Sequence, residues 1–245
     1  MRDWSGKRYW LVGASEGLGE ALAHQLSRAG CEVVVSARTK DKLDAVVAEL
    51  PGRASAVACD IADQASMDAA AEEVGEVDGM VFLAGVYWPI KAQDWDTGKI
   101  TTMCDVNLTG CVRAIGTVLP RFIERDRGHV VITASIAGFR GLPGAVGYAA
   151  SKAGNMVLAE SLHADLRHSG VQIQVVNPGF IRTRMTAKND FSMQQIIEPE
   201  DAARRMFEFM GTDGFKTSFP NPFASLLRFG QFLPDWAWYG ALPKR

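Results

Sequence analysis

The sequence predicts one α/β domain with a doubly wound parallel sheet, because short apolar strands alternate with helical segments along almost the whole chain. Two runs, Val33–Val35 and Val130–Ile132, are apolar on both faces, which is typical of strands covered by helices above and below. Residues that favour turns bound each predicted strand. The strands are predicted at Tyr9–Val12, Glu32–Ser36, Ala54–Ala58, Gly79–Leu83, His129–Thr133 and Val171–Asn177.

The composition is that of an ordinary globular protein. The chain has 245 residues, of which 47% are hydrophobic and 22% are charged, and its formal net charge is −2. A chain of this size buries about 70% of its unfolded surface on folding, so one core suffices without metals or disulfides. The near-neutral charge gives no electrostatic footprint for nucleic acid, and we expect no nucleic-acid partner.

The cysteines and the lengths of the apolar segments indicate the cellular compartment in which the protein is expected. Cys31, Cys59, Cys104 and Cys111 form no CxxC or zinc-finger pattern, and we expect reduced thiols and no bound metal. The N-terminus lacks the apolar stretch of a signal peptide, and no segment approaches the ~18 consecutive apolar residues of a membrane-spanning helix. We therefore expect a soluble, cytoplasmic protein.

A glycine-rich turn with the spacing GxxxGxG follows the first strand and precedes a helix that runs to Ala29. Glycine permits the tight turn and lets backbone N–H groups approach a pyrophosphate at the positive end of the helix. The alternative is an ordinary strand-to-helix turn that uses three glycines. The cofactor-binding residues predicted here are Gly13, Ser15, Glu16, Gly17, Leu18 and Gly19.

The end of the second strand bears on the choice of cofactor. An NAD site usually places Asp or Glu there to accept a hydrogen bond from the ribose 2′-hydroxyl, whereas this chain has Ala37 followed by Arg38. A guanidinium can bind a 2′-phosphate through two parallel donors, which favours NADP over NAD. Two points oppose this interpretation: a solvated arginine is common at a strand end, and Glu16 places a carboxylate near the expected phosphate.

A candidate catalytic group follows the fifth strand. Tyr148 begins a predicted helix 13 residues after Ser135, and Lys152, four residues further on, lies on the same helical face. An ammonium about 4 Å from a phenol, at an effective dielectric near 20, favours the phenolate by roughly 4 kcal/mol, on the order of 3 pK units. We therefore expect a lowered pKa for Tyr148, which suits proton transfer to a carbonyl oxygen. Taken singly, each residue has an ordinary alternative as a core aromatic, a solvated charge or a turn residue.

Together these pieces resemble the short-chain dehydrogenase/reductases, in the short single-domain branch that prefers NADP, and the resemblance implies a Rossmann fold. The matching pieces follow the family's order from about residue 7 to residue 210. They are Gly13, Gly17 and Gly19, Asp60, Ala84 and Gly85, Asn107 in a predicted helix, Ser135, Tyr148 and Lys152, and Asn177–Gly179 with Thr183.

The resemblance implies catalytic roles for four of these residues. Tyr148 would donate a proton to the carbonyl oxygen as hydride leaves the nicotinamide, and Lys152 would lower the pKa of that tyrosine and hold the nicotinamide ribose. Ser135 would hydrogen-bond the substrate oxygen. Asn107 would anchor a water molecule that relays protons to Lys152.

The resemblance also implies how further residues would contact the cofactor. Asp60 would meet the adenine, and the segment after the sixth strand would face the nicotinamide. Tyr148 and Lys152 would contact the cofactor as well. The other residues implied at the cofactor are Asp60, Ala84, Gly85, Pro178, Gly179, Ile181 and Thr183.

The function implied is the NAD(P)-dependent interconversion of a secondary alcohol and a ketone or aldehyde (EC 1.1.1 chemistry), in a homodimer or homotetramer. The alternative is a dinucleotide-binding regulatory protein that has lost turnover. The segments 86–88, 136–147 and 180–193 are expected to line the substrate pocket. They contain Tyr87, Trp88, Phe139, Leu142, Met185 and Phe191, so we expect a small, partly apolar substrate.

The composition changes near the end of the chain, after a helix predicted at Ile196–Met210. Residues 219–245 contain seven aromatic and only four charged residues. We assign residues 1–218 to a dinucleotide-binding domain with the catalytic site, and residues 219–245 to an aromatic extension of that domain. The extension is expected to cover the pocket or to pack on another subunit, because large exposed apolar patches are rare. Shallow docking on a bilayer and completion of the core are the alternatives.

Overall fold

A computed structural model describes residues 2–190, 192–193 and 195–242. Within these residues, seven strands form one parallel sheet in the order β3-β2-β1-β4-β5-β6-β7, with helices on both faces, which confirms the predicted Rossmann-type fold. The strands are β1 (Arg8–Val12), β2 (Glu32–Ala37), β3 (Ala54–Ala58), β4 (Gly79–Phe82), β5 (Gly128–Thr133), β6 (Val171–Pro178) and β7 (Lys216–Phe219). The helices are α1 (Gly17–Arg28), α2 (Lys40–Glu49), α3 (Gln64–Val74), α4 (Thr97–Cys104), α5 (Gly110–Glu124), α6 (Val146–Leu166), α7 (Pro199–Met210), α8 (Phe223–Phe229) and α9 (Asp235–Ala241).

The six predicted strands are present, each within one residue of its predicted bounds at either end. The additional strand, β7, pairs with β6 at the edge of the sheet. Of its four residues only Phe219 is buried, and the sequence has no apolar run from which this strand could be predicted. The boundary predicted between residues 218 and 219 falls inside this strand.

Strand β1 lies inside the sheet, with β2 on one side and β4 on the other. The chain therefore winds outward in opposite directions from β1, and the connections that follow β1 and β4 diverge. In parallel sheets, ligands bind in the crevice that such a divergence leaves at the carboxyl ends of the strands. Backbone hydrogen bonds hold this edge together: the amides of Leu83 and Ala84 donate to the Val12 carbonyl at 2.8 and 2.9 Å.

Two apolar layers cover the sheet because successive strand residues point to opposite faces. From β1, Trp10 and Val12 pack with apolar side chains of α3, α5 and α6. Tyr9 and Leu11 pack with α1, α2 and α7 on the other face. No helix in the described ranges is both long enough and apolar enough to cross a membrane.

A buried polar network crosses three strands. The His129 ring lies 2.9 Å from the Tyr9 hydroxyl through Nδ1 and 2.9 Å from Gln174 Oε1 through Nε2. Because an amide oxygen only accepts, His129 Nε2 donates to it, and Nδ1 accepts from Tyr9. All three side chains are fully buried, and burial lowers the pKa of His129 to about 3. The folded protein thus holds this histidine neutral.

His129 makes stability depend on pH. Its pKa is near 6.5 in an unfolded chain, so between about pH 6.5 and 3 the unfolded state binds more protons. We therefore expect the free energy of unfolding to decrease as the pH is lowered through this range. This histidine contributes up to about 1.4 kcal/mol per pH unit to the decrease. Urea titrations at several pH values should give a shallower pH dependence for His129→Gln than for wild type. The exposed His168→Gln serves as the control, and equal slopes for wild type and His129→Gln would contradict the assignment.

Candidate active site

A cleft of about 710 Å³ opens at the carboxyl edge of the sheet, beside the divergence of β1 and β4. Its walls come from the turn after β1, the ends of the neighbouring strands and the start of α6. The cleft gathers most of the residues singled out from the sequence. These are Gly13, Ser15, Glu16, Gly17, Leu18, Gly19, Arg38, Asp60, Ala84, Gly85, Ser135, Tyr148, Lys152, Pro178, Gly179, Ile181 and Thr183.

The glycine turn packs too closely for side chains. A Cβ on Gly13 would lie 2.3 Å from the Ala84 amide nitrogen, and one on Gly19 would lie 2.2 Å from the Gly13 carbonyl oxygen. Gly13 and Gly17 also have positive φ angles of 98° and 61°, which side chains rarely adopt. Helix α1 begins at Gly17 without a side-chain cap on its N-terminus. Its first backbone N–H groups therefore remain available to an anion in the cleft.

The Glu16 carboxylate, which the sequence places near an expected phosphate, is held by two cations. Its oxygens lie 3.3 Å from Lys42 Nζ and 2.7 Å from Arg184 Nη2. Both cations also line the cleft. The negative charge at this position is therefore countered by the surrounding side chains. Because these ion pairs are exposed, they contribute little to the stability of the fold. Their effect is to offset the negative charge of Glu16.

Arg38 and Asp60 flank the same end of the cleft. Arg38 directly follows β2, and its exposed side chain lies on the rim. Asp60 follows β3, and its Oδ1 accepts a hydrogen bond from the Ala62 amide at 3.0 Å. A cation and a carboxylate thus both line the end of the cleft formed by β2 and β3.

Lys152 is buried in the second turn of α6. Its side chain is only 4% exposed, and Nζ donates to the Thr133 carbonyl at 2.8 Å. Burial lowers the pKa of Lys152 to about 8. The ammonium lies 5.8 Å from the centre of the Tyr148 ring, so the two residues share one helix face as their spacing predicts.

The expected lowering of the Tyr148 pKa is wrong for this structure. Burial raises the pKa of Tyr148 to about 12, although a hydrogen bond with Ser135 acts in the opposite direction. Withdrawing the phenolate from water costs more free energy than its surroundings return. The Lys152 ammonium donates to the Thr133 carbonyl. The phenol therefore holds its proton at neutral pH.

Ser135 stands at the end of β5, where its side chain starts a short 3₁₀ turn. Its Oγ accepts a hydrogen bond from the Ala137 amide at 3.2 Å and donates to the Pro178 carbonyl at 3.4 Å. The serine thus links the end of β5 to the end of β6, and it lines the same cleft as Tyr148 at the start of α6. Its hydroxyl, the Tyr148 phenol and the Lys152 ammonium are thereby held in one corner of the cleft.

Asn107 lies behind the cleft wall, in a π-helical stretch at Asp105–Thr109 between α4 and α5. Its Oδ1 accepts from the Val86 amide at 2.7 Å, and its Nδ2 donates to the Val86 carbonyl and to Ser151 Oγ, both at 3.0 Å. The side chain therefore fixes the segment after β4 against α6. The widened helical turn explains how an asparagine fits within a helix.

The substrate side of the cleft is partly aromatic. The Tyr87 and Tyr148 rings meet edge to face, with centroids 5.0 Å apart, and Met185 lines the cleft. Lys188 Nζ lies 4.8 Å from the centre of the Trp88 ring. Phe191, also expected in this wall, lies outside the described residues.

Sequence reasoning missed two features of the site. It did not identify the Thr133 carbonyl as the acceptor for Lys152, because a backbone acceptor leaves no signal in side-chain pattern. It also missed Lys42 beside Glu16. The position of Lys42 in the first turn of α2, four residues after Arg38, could have indicated a second cation near the expected phosphate.

Known proteins match the chain over most of its length. The family model for short chain dehydrogenase matches residues 7–193. An uncharacterized oxidoreductase of Myxococcus xanthus is 35% identical in an alignment of 242 positions that covers 96% of this chain and 96% of that protein. A short-chain dehydrogenase from Streptomyces avermitilis has a TM-score of 0.84 at 26% identity, over 92% of each chain. A variant of actinorhodin polyketide ketoreductase, solved with NADPH, has a TM-score of 0.79 at 23% identity, over 89% of this chain and 97% of that chain.

The glycine turn can be tested with a single methyl group. Gly13→Ala combines a positive φ with a backbone clash, so we expect the free energy of unfolding to fall by about 2 kcal/mol or more. Gly116→Ala in α5 is the matched control, because nothing lies within 4 Å of the added Cβ. The control should be stabilised by up to about 1 kcal/mol. Urea denaturation gives both values, and equal stabilities for the two variants would contradict the described packing.

Proposed function

Because the chain belongs to the short-chain dehydrogenase family and is an oxidoreductase, we propose that it interconverts a secondary alcohol and a ketone or aldehyde with an NAD(P) cofactor. One observation carries the proposal. A single cleft contains both the glycine turn after β1 and the cluster of Ser135, Tyr148 and Lys152. The turn suits a dinucleotide, and the cluster suits proton exchange with a carbonyl oxygen. A dehydrogenase of this class needs both in one cleft.

The residues present fit a dinucleotide. The cleft volume of about 710 Å³ lies in the range of ligand sites, and the N-terminus of α1, which has no side-chain cap, offers backbone N–H groups to a phosphate. When bound, NAD(P)H supplies the hydride and NAD(P)⁺ accepts it. The residues proposed to hold the cofactor beyond the glycine turn are Arg38, Asp60, Ala84, Gly85, Tyr148, Lys152, Pro178, Gly179, Ile181 and Thr183.

Tyr148 is the proposed proton donor in the direction of carbonyl reduction. With a pKa of about 12 its phenol is protonated at neutral pH, and an alkoxide that forms beside it is a much stronger base. The Ser135 hydroxyl, which lines the same cleft as Tyr148, orients the substrate oxygen and donates a second hydrogen bond. In the oxidative direction the deprotonated form of Tyr148 receives the proton of the alcohol, and Ser135 positions that alcohol.

Lys152 is proposed to stabilise the phenolate that proton donation leaves on Tyr148. At 5.8 Å from the ring centre, a unit positive charge is worth about 3 kcal/mol at an effective dielectric near 20. Its pKa of about 8 keeps most of the population charged at pH 7. Asn107 acts indirectly: its amide holds the segment after β4 against α6, the helix that carries Tyr148 and Lys152. Its proposed role as the anchor of a relay water remains part of this proposal.

NADP is the proposed cofactor, with NAD as the alternative. Arg38 stands on the rim of the cleft where a 2′-phosphate is expected, and Lys42 adds a second cation close by. The carboxylate of Glu16 would repel the phosphate, but Lys42 and Arg184 offset its charge. The balance of charge at this end is therefore positive.

The remaining features of the proposal concern the substrate and the assembly. Tyr87 and Met185 favour a partly apolar carbonyl compound. A homodimer or homotetramer is proposed because apolar side chains of α5 and α6 are exposed, namely Val112, Ile123 and Val157. A cytoplasmic location is proposed because the four cysteines are free thiols.

Removing one hydroxyl tests the proton donor. We expect Tyr148→Phe to lower kcat by about 100-fold or more, because proton transfer by a positioned group contributes on that order, while the Kd for NADPH changes only a few-fold. Loss of NADPH absorbance with a panel of ketones and aldehydes gives kcat, and NADPH fluorescence gives Kd.

Tyr87→Phe is the matched control, since it removes the same atom from the adjacent ring. It should keep kcat within a few-fold of wild type. Near-normal turnover by Tyr148→Phe would overturn the mechanism, and NADPH binding without turnover of any carbonyl by wild type would favour the regulatory alternative.

Cofactor preference tests the role of Arg38. We expect wild type to prefer NADPH, and Arg38→Ala to lower the ratio of kcat/KM for NADPH over NADH by about 10- to 100-fold, the range for lost hydrogen bonds to a charged group. Lys40→Ala is the control, because Lys40 pairs with Asp44 on α2. A wild-type preference for NADH, or an equal loss in both variants, would contradict the assignment.

A further inference from the structure

The end of the chain carries an exposed apolar surface that the proposed reaction does not use. Of the nine large apolar side chains exposed among the described residues, five lie between residues 226 and 239. We call these five the aromatic surface. They are Leu226, Phe229, Phe232, Trp236 and Tyr239, with exposed fractions of 67%, 60%, 79%, 80% and 57%.

The aromatic surface is the outer side of a packed structure. Leu226 and Phe229 are three residues apart on α8, as are Trp236 and Tyr239 on α9, so each pair lies on one side of its helix. The inner side is buried through Ala224 and Trp238. The segment is therefore packed against the domain on one side and exposes apolar side chains on the other.

Arg140 anchors this structure to the loop after β5. Its Nη1 donates to the carbonyls of Gly230 and Leu233 at 2.7 and 2.6 Å, and its Nη2 pairs with Asp235. The guanidinium also lies 5.3 Å from the Trp238 ring centre. These contacts hold α8 and α9 together in one orientation, with the aromatic surface directed away from the sheet.

The charge of this segment differs in sign from that of the rest of the chain. Residues 219–245 contain the basic residues Arg228, Lys244 and Arg245 and one acidic residue, Asp235. The segment therefore carries a formal charge of +2, and the remainder of a chain with net charge −2 carries −4. Asp235 itself is paired with Arg140. In the described part of this segment Arg228 is exposed on α8 next to Phe229, so it places a positive charge beside the aromatic surface.

We propose that the aromatic surface docks the protein reversibly on a bilayer that contains anionic lipids. Side chains that are four-fifths exposed, such as Phe232 and Trp236, project outward and suit insertion among lipid headgroups better than contact with a flat protein face. Trp and Tyr favour the boundary between headgroups and acyl chains, because each joins an apolar ring to a polar group. The exposed Arg228, next to Phe229 on α8, adds attraction to anionic lipid.

Docking would bring the substrate side of the cleft close to the membrane. Gln231 Nε2 donates to the Phe139 carbonyl at 2.8 Å, and the Phe180 and Phe223 rings stack at 6.1 Å. These partners belong to the segments that follow Ser135 and Pro178 in the cleft wall. The docking proposal stands on the aromatic surface alone and holds whether or not the proposed reaction is correct.

Vesicle co-sedimentation of the full-length protein tests the proposal. We expect wild type to pellet with phosphatidylcholine vesicles that contain about one third phosphatidylglycerol, and to pellet less with pure phosphatidylcholine or at high salt. The double variant Phe232→Ser with Trp236→Ser should partition at least about tenfold more weakly, since two inserted rings are lost. Trp95→Ser removes a tryptophan that is 58% exposed elsewhere on the molecule and should bind like wild type.

Three results would overturn the proposal. The first is absence of wild-type binding to the anionic vesicles at low salt. The second is equal binding by wild type and the double variant when thermal melts confirm that both are folded. The third is a lower oligomeric mass of the double variant in sedimentation velocity, together with no vesicle binding by wild type, because a second copy of the chain would then cover this surface.

Discussion

The buried ammonium of Lys152 is the constraint on which the site depends. A cation that is 4% exposed costs free energy unless it is hydrogen-bonded, and the Thr133 carbonyl supplies that bond at 2.8 Å. This bond requires the end of β5 to face the second turn of α6. It therefore sets the relative positions of the strand that leads to Ser135 and the helix that carries Tyr148.

Close backbone packing keeps these two elements in place. A Cβ on Gly138, in the turn that Ser135 begins, would lie 2.7 Å from the Ala153 amide nitrogen, so this turn rests directly on the backbone of α6. On the far side, Asn107 bonds both Val86 and Ser151 and joins α6 to the end of β4. The charged and hydroxyl groups of the site are thus held by backbone contacts and by one buried amide.

The sequence predicted much of the fold because each strand of the buried sheet is a short apolar run between turn residues. The exception is β7, whose residues at the sheet edge are mostly not buried and leave no such run. The site residues could be named because glycines and the Tyr148–Lys152 spacing reflect local geometry. The pKa of Tyr148 could not be predicted, because its direction depends on how deeply the phenol is buried and on the Thr133 carbonyl that takes the ammonium's hydrogen bond. The anchoring of α8 and α9 by Arg140 joins residues about 90 positions apart, and pattern along the chain does not reveal such a contact.

A crystal structure of the protein with NADP⁺ would show which way the cofactor lies in the cleft. We expect the nicotinamide half in the corner formed by Ser135, Tyr148 and Lys152, with a ribose hydroxyl within hydrogen-bond distance of Lys152 Nζ. We also expect the 2′-phosphate beside Arg38, at the opposite end of the cleft. A dinucleotide bound outside this cleft or in the reverse direction, or a Tyr148 hydroxyl turned away from the nicotinamide, would contradict the account.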